Sequence, residues 1–235
     1  MSIAVSGLKK LYGSQVAVNG ISFSVKPGEI VGFLGPNGAG KSTTMKIITG
    51  FIAATEGSVH IHNQLFRPDT IALKSHIGYL PENNPLYPEM YVREYLQFIG
   101  RLSGLRGNAL RDRVREVTDR VGLAPEQHKK IEQLSKGYRQ RVGLAQAMIH
   151  DPDILILDEP TTGLDPNQLT EIRNLIREIG KNKTILLSTH IMQEVEMLCH
   201  RAIVLRKGNL VADAPLHELK SGNQSLEKTF RDLTR

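Results

Sequence analysis

Ile30-Val31-Gly32-Phe33-Leu34-Gly35-Pro36-Asn37-Gly38-Ala39-Gly40-Lys41-Ser42 joins an apolar run to a glycine-rich loop that ends on Lys-Ser. The continuous run describes a parallel strand covered on both faces. The loop fits the phosphate-binding pattern G-x-x-x-x-G-K-[ST], and Ser42 to Ile48 reads as the helix that follows it, ending near Gly50. Backbone N–H groups must converge on phosphate oxygens there, so glycine stands where a side chain would block the approach. The helix N-terminus adds partial positive charge. Gly35, Pro36, Asn37, Gly38, Ala39 and Gly40 are therefore candidate ATP-binding residues. Lys41 is placed for the β- and γ-phosphates, Ser42 for Mg²⁺ and Thr43 for the neighbourhood of the α-phosphate.

Downstream, Ile154-Leu155-Ile156-Leu157 repeats the buried-strand pattern and delivers Asp158-Glu159 at its C-terminal end, where ligands collect in open α/β sheets. Asp158 is a candidate to hold Mg²⁺ through water. Glu159, pointing elsewhere, is placed to polarise an attacking water as general base. The bland alternative is an acidic pair that only complements a helix dipole.

Around these two segments the chain alternates strands and helices. Ile3 to Gly28 has the short alternating runs of half-buried antiparallel strands, and Gly57 to Ile61 and Ile77 to Leu80 read as further strands. From Tyr91 to His150 the period is helical, with Val92, Tyr95, Leu96 and Ile99 in one stripe and Leu110, Val114, Val117 and Val121 in another. Asp165, Pro166 and Gly180 bracket an amphipathic helix as N-cap, first residue and end. Thr184 to Ser188 is a strand, and Ala202 to Val211 a hairpin turned at Lys207-Gly208-Asn209. The expected fold is α/β: a nucleotide-binding core with a mainly parallel sheet, an N-terminal antiparallel β subdomain and an inserted helical subdomain. In residue terms this is one domain, with 1–82 and 151–220 as core, 83–150 as helical insertion and 221–235 as a polar tail, either helical or mobile.

Composition agrees with that reading and narrows the classes of function. The chain has 235 residues, 40% hydrophobic and 23% charged, ordinary for a globular protein with one sizeable core. No apolar run approaches the ~20 residues of a membrane span, and Met1 to Lys10 lacks the apolar stretch of a signal peptide. The expectation is a cytosolic chain, unless a partner holds it at a membrane. The single cysteine, Cys199, fits a core or helix-face position. The net charge of +6 is dispersed, and the arginines between Arg101 and Arg120 alternate with Asp112, Glu116 and Asp119 as on a solvated helical face. Nucleic acid is not an expected partner.

Leu134-Ser135-Lys136-Gly137-Tyr138, followed by Arg139-Gln140-Arg141 and a helix, resembles the signature motif of ABC transporter ATP-binding subunits. Read without the family, Ser135 is simply a helix N-cap. The resemblance implies that this segment completes the nucleotide pocket of a second ATPase subunit, so that two copies meet head to tail around two MgATP. Lys136 and Tyr138 stand where glycine and glutamine are commonest in that family; Lys136 is expected to face solvent, the alternative being that it strengthens anion attraction. Three further residues match family positions. Tyr12 stands at that of the adenine-stacking aromatic, the lesser alternative being an exposed strand-end tyrosine. Asp165 in Gly163-Leu164-Asp165 matches the D-loop. His190 matches the histidine that contacts the γ-phosphate, a position where histidine alone would read as structural.

Glu82, in Gly78-Tyr79-Leu80-Pro81-Glu82, replaces the family's usual glutamine and resembles an export-associated, ABC-2-type branch. There it would ligate Mg²⁺-bound water and join the catalytic set with Glu159 and His190. The segments Leu134 to Gln146, Thr161 to Gln168 and Ser188 to Glu196 also resemble those of a gliding-motility-associated ATPase, with multidrug exporters close by. The implied function is an ATP-hydrolysing subunit that drives transmembrane permease subunits from the cytoplasmic face of the cell membrane, for export. The alternatives are a soluble ABC-type ATPase of translation or DNA repair and a nucleotide-binding regulatory module with little turnover.

Overall fold

The computed structural model describes residues 1–220 and 226–234. The chain runs through β1 (Ile3–Tyr12), β2 (Gln15–Val25), β3 (Ile30–Leu34) and α1 (Lys41–Ile48). Then come β4 (Glu56–Ile61), β5 (Gln64–Phe66), α2 (Ile71–Lys74) and β6 (Ile77–Leu80). A helical stretch follows with α3 (Val92–Leu102), α4 (Gly107–Arg120) and α5 (Lys136–Met148). The second half of the core holds β7 (Ile154–Asp158), α6 (Pro166–Gly180), β8 (Thr184–Thr189), α7 (Met192–Leu198), β9 (Arg201–Arg206) and β10 (Asn209–Pro215). Two helices close it, α8 (Leu216–Leu219) and α9 (Leu226–Thr234).

One sheet has the order β2-β1-β4-β5 and is antiparallel throughout. The larger one has the order β10-β9-β3-β8-β7-β6, parallel except for the β9–β10 hairpin. Its strands alternate between two cores. Val31, Phe33, Ile154, Ile156, Leu186 and Ile203 face α1 and the antiparallel sheet. Leu34, Leu155, Leu157, Ile185, Leu187 and Val204 face the helices. Burial on both faces explains why β3 and β7 read as unbroken apolar runs rather than alternating ones.

The helical stretch is joined to that second face rather than set apart from it. Leu96, Val114 and Val117 share one cluster with Leu80 and Leu157, and α5 supplies Val142, Leu144 and Met148 in between. Gly78 on β6 lets the α5 backbone come close, since a Cβ there would collide with the Ala147 carbonyl.

Several local expectations are met in detail. Asp165 accepts hydrogen bonds from the backbone N–H of Asn167 at 3.0 Å and Gln168 at 2.9 Å, Pro166 opens α6 and Gly180 ends it. Cys199 is buried. The final hairpin is longer than its apolar core suggests, reaching from Arg201 to Pro215. Strand β5 and helices α2 and α8 were not read from the sequence, being too short for a period to show. Of the tail, Leu226–Thr234 is a helix whose Leu226 is buried and whose Phe230 and Leu233 pack on the main core. The remainder of the 221–235 expectation lies outside the described residues. Among the described residues no helix is long and apolar enough to cross a membrane.

Candidate functional site

Parallel register decides which loops meet. Leu34 lies opposite Thr189 and Asp158 opposite Ser188, so β3, β7 and β8 finish side by side. The residues that follow them therefore crowd one edge of the sheet, the place where open α/β sheets bind ligands. A cavity of about 540 Å³ opens there. Tyr12, Asn37, Gly38, Gly40, Lys41, Ser42, Thr43, Glu82, Glu159 and His190 all line it.

The loop before α1 is shaped by close backbone contacts. Gly40 has φ 103°, and a Cβ there would sit 2.5 Å from the Ala17 carbonyl oxygen. Lys41 is buried and curls back over its own loop, its Nζ donating to Gly35 O at 2.9 Å and standing 3.6 Å from Glu159 Oε1. Buried amines need such acceptors. Those carbonyl contacts are replaceable by phosphate oxygens, which offer the lysine the same hydrogen bonds with more charge.

Asp158 and Glu159, adjacent in the chain, serve two different neighbourhoods. Asp158 is 1% exposed and its Oδ1 accepts from Ser42 Oγ at 3.2 Å and Ser188 Oγ at 2.5 Å. Glu159 is turned away by a left-handed backbone, φ 50°, and its N–H donates to Ser188 Oγ at 3.0 Å. Its Oε2 accepts from Thr162 Oγ1 at 3.2 Å and lies 2.8 Å from His190 Nδ1. The carboxylate thus has donors on several sides while staying inside the cavity.

The oxygen donors suit a hard cation. The Ser42 hydroxyl and the Asp158 carboxylate are already in contact, and Glu82 opens onto the same cavity. Tyr79, from β6, marks how closely negative charge gathers there: burial, then Asp158, then Glu82 push its phenol well above the usual tyrosine range. Its hydroxyl is buried without a hydrogen-bond partner among the described residues. Ser42, Asp158 and Glu82 could together hold Mg²⁺ directly or through water.

The signature segment and Asp165 lie away from this cavity. Ser135 caps α5, accepting from Tyr138 N–H at 3.4 Å, and the segment Leu134, Ser135, Lys136, Gly137, Tyr138 contributes nothing to the cavity lining of its own chain. Lys136 is exposed, with its Nζ in the space a Cβ on Gly163 would take, so it covers the turn that leads to Asp165. Asp165 spends its carboxylate on capping α6.

Sequence reasoning missed Gln15, Val16, Ala17 and Thr162, which line the cavity, and Ser188, which braces both acidic residues. Only strand register could have revealed Ser188. It also missed Glu194 of α7, which is fully buried behind the site. Glu194 accepts from Thr161 Oγ1, accepts from Thr189 Oγ1 at 2.6 Å and lies 3.5 Å from Arg173 Nη2. Glu194 therefore ties the loop after β7 to the end of β8.

The family model described as "ABC transporter" matches residues 18–162, more than half of the chain. A second model, "AAA domain, putative AbiEii toxin, Type IV TA system", matches residues 130–196. The Nod factor export ATP-binding protein I of Paraburkholderia xenovorans is 38% identical over 90% of this chain and 70% of its own length. The bacitracin transport ATP-binding protein BcrA of Bacillus licheniformis is 38% identical over 94% of this chain and 72% of its own. Among solved structures, the dimeric ATP-binding cassette MJ0796 bound to ADP and Pi superposes with a TM-score of 0.83 at 28% identity, covering 91% of this chain and 98% of that one. An ordered glycine-rich loop, two divergent carboxylates at strand ends and these likenesses over nearly the whole length place the chain in the ABC transporter family, as an ATP-binding and ATP-hydrolysing subunit.

Proposed function

We propose that two copies of this chain, docked head to tail, hydrolyse MgATP and so power export through membrane-embedded partner subunits at the cytoplasmic face of the membrane. The observation that carries the catalytic part is the buried Glu159 carboxylate held 2.8 Å from His190 inside the cavity that also contains Lys41 and Ser42.

In this reading Tyr12 stacks on the adenine and the backbone of Gly35 to Gly40 surrounds the phosphates. Lys41 exchanges its carbonyl contacts for β- and γ-phosphate oxygens, and Thr43 stays near the α-phosphate. Ser42, Asp158 and Glu82 would hold Mg²⁺, which would supply charge neutralisation at the transferred phosphoryl group. Glu159 takes the proton of the attacking water, while His190 orients that carboxylate and reaches toward the γ-phosphate. Breaking the β–γ bond leaves ADP and inorganic phosphate, with the water oxygen on phosphorus.

Dimerisation is supported by two facts. MJ0796 forms a dimer. The Leu134 to Tyr138 segment of this chain caps a helix yet stays out of its own cavity, so it is free to complete a second one. Export is supported by the Nod factor export relative, and transport by the bacitracin transport relative. Those two names carry different compounds, which fits a cargo choice made by the membrane partner. The test is co-purification of the chain from detergent-solubilised membranes of its own host, followed by phosphate release from the assembly. Isolation of a membrane permease whose presence raises turnover supports the reading; full turnover with no membrane partner would favour a soluble ATPase.

A further inference from the structure

Another group of side chains converges at the opposite end of the larger sheet. His62 sits in the turn between β4 and β5, His76 directly before β6 and Asp153 directly before β7. Asp153 Oδ2 is 2.7 Å from His62 Nε2 and 3.2 Å from His76 Nδ1. The two imidazole rings meet edge to face with centroids 4.9 Å apart. One ligand atom from each of the three residues lies within 4.8 Å of the others. We infer that His62, His76 and Asp153 form a site for a zinc-class divalent transition metal, separate from the nucleotide's magnesium.

Donor chemistry is the first argument. Two imidazole nitrogens and one carboxylate oxygen suit Zn²⁺ and its neighbours in the first transition row, whereas Mg²⁺ prefers oxygen alone. Geometry is the second. A tetrahedral zinc site with bonds near 2.0–2.1 Å places its ligand atoms about 3.3 Å apart. The His76–Asp153 separation of 3.2 Å is close to that value, the His62–Asp153 separation of 2.7 Å is shorter, and all three ligand atoms lie within 4.8 Å of one another, so an ion would enter by opening the His62–Asp153 contact. Third, His62 Nε2 is buried and makes no hydrogen bond of acceptable direction, even with a carboxylate oxygen so near.

The backbone holds these donors in place. His62 and Asn63 both adopt left-handed angles, φ 50° and 64°, in the tight turn that joins β4 to β5. His76 and Asp153 are neighbours by sheet register, since Ile77 pairs with Ile154 and Ile154 N–H donates to His76 O at 3.0 Å. Asp153 is 52% exposed and His76 43%, which leaves a coordination position open to water. The cluster also stands clear of the catalytic site. Asp153 and Asp158 are at opposite ends of β7, about 16 Å apart at ~3.3 Å per residue. A bound ion would pin the antiparallel sheet, through His62, to the β6–β7 edge of the larger sheet, and would stabilise the folded chain by binding it alone.

Titration of the tag-free chain with Co²⁺ tests this directly. One equivalent is expected to give the visible absorption of a four-coordinate nitrogen–oxygen site, displaced by one equivalent of Zn²⁺ and unaffected by a hundredfold excess of Mg²⁺. His76→Asn and Asp153→Asn should each weaken Zn²⁺ binding at least tenfold and abolish the Zn²⁺-induced rise in Tm, while His60→Asn, on the neighbouring strand, retains both. A wild-type chain with no such band at one equivalent overturns the inference without recourse to any variant. So does a band that persists in both His76→Asn and Asp153→Asn, which would leave the cluster as a histidine–aspartate ion pair only.

Discussion

His190 Nδ1 lies 2.8 Å from Glu159 Oε2, linking the residue after β8 to the residue after β7 across 31 positions of sequence. The same Glu159 stands 3.6 Å from Lys41 Nζ, so a single carboxylate faces both the histidine and the phosphate-binding lysine. Removing its charge while keeping its shape should stop chemistry but not binding. Glu159→Gln is expected to reduce phosphate release by roughly 10²-fold or more, the usual contribution of a general base. It should also accumulate an ATP-bound dimer in size-exclusion chromatography. A variant that stays monomeric at saturating ATP and turns over at the wild-type rate would falsify the assignment.

Gly40 offers a second test, of the loop rather than the chemistry. Its φ of 103° and the Ala17 carbonyl 2.5 Å from a would-be Cβ leave no room for a methyl group. Gly40→Ala should therefore cost about 1–3 kcal/mol of stability through strain. ATP affinity should fall at least tenfold as the N–H groups of the loop are displaced. Urea unfolding with and without ATP separates the two effects; wild-type ATP binding would show that the loop tolerates the displacement.

Glu194 is wholly buried and its nearest cation, Arg173, is 9% exposed. Losing the carboxylate would strand that guanidinium and two threonine hydroxyls away from water. Glu194→Ala is thus expected to lose about 3–5 kcal/mol in urea unfolding, the range for breaking a buried pair. Glu194→Gln, which can still accept from one threonine hydroxyl but turns a donor toward the other, should lose less. Equal losses in the two variants would mean that packing, not charge, governs the position.

His150 gives stability a pH dependence. Burial lowers its pKa from the ordinary histidine value, outweighing the favourable contact of Nε2 with Ile77 O at 3.1 Å, and Arg113 and Lys183 lower it further. The folded chain then binds fewer protons than the unfolded one, so stability rises with pH through this window. Its contribution is complete above the unfolded histidine value, near pH 6.5, and declines as pH falls below it. The urea midpoint should accordingly drop between about pH 6.5 and 5 in the wild type, and less steeply in His150→Asn. Parallel slopes in the two proteins would assign the dependence elsewhere.

The legible parts of this protein are those whose residues are contiguous or periodic. Gly35 to Ser42 announces its loop because the geometry of phosphate binding demands those residue types in a row. Strands β3 and β7 announce their double-sided burial by lacking alternation, and α6 announces its N-cap, first residue and last residue as Asp165, Pro166 and Gly180. The family likeness supplied what local chemistry left open at Tyr12, Ser135 and His190. It could not supply Ser188, whose two hydrogen bonds to the acidic pair arise from strand pairing alone.

The sequence by itself determined the nucleotide-binding loop, the order of the longer strands and helices, and the two carboxylates at the end of β7, because each follows from short-range sterics and apolar periodicity. The tertiary structure decided which distant residues share a space: Glu159 with His190, Glu194 with Thr161 and Arg173, His62 with His76 and Asp153. The physical reason is register and burial. A parallel sheet aligns strand ends that are far apart in the chain, and the water excluded between them sets how strongly their charges act on one another.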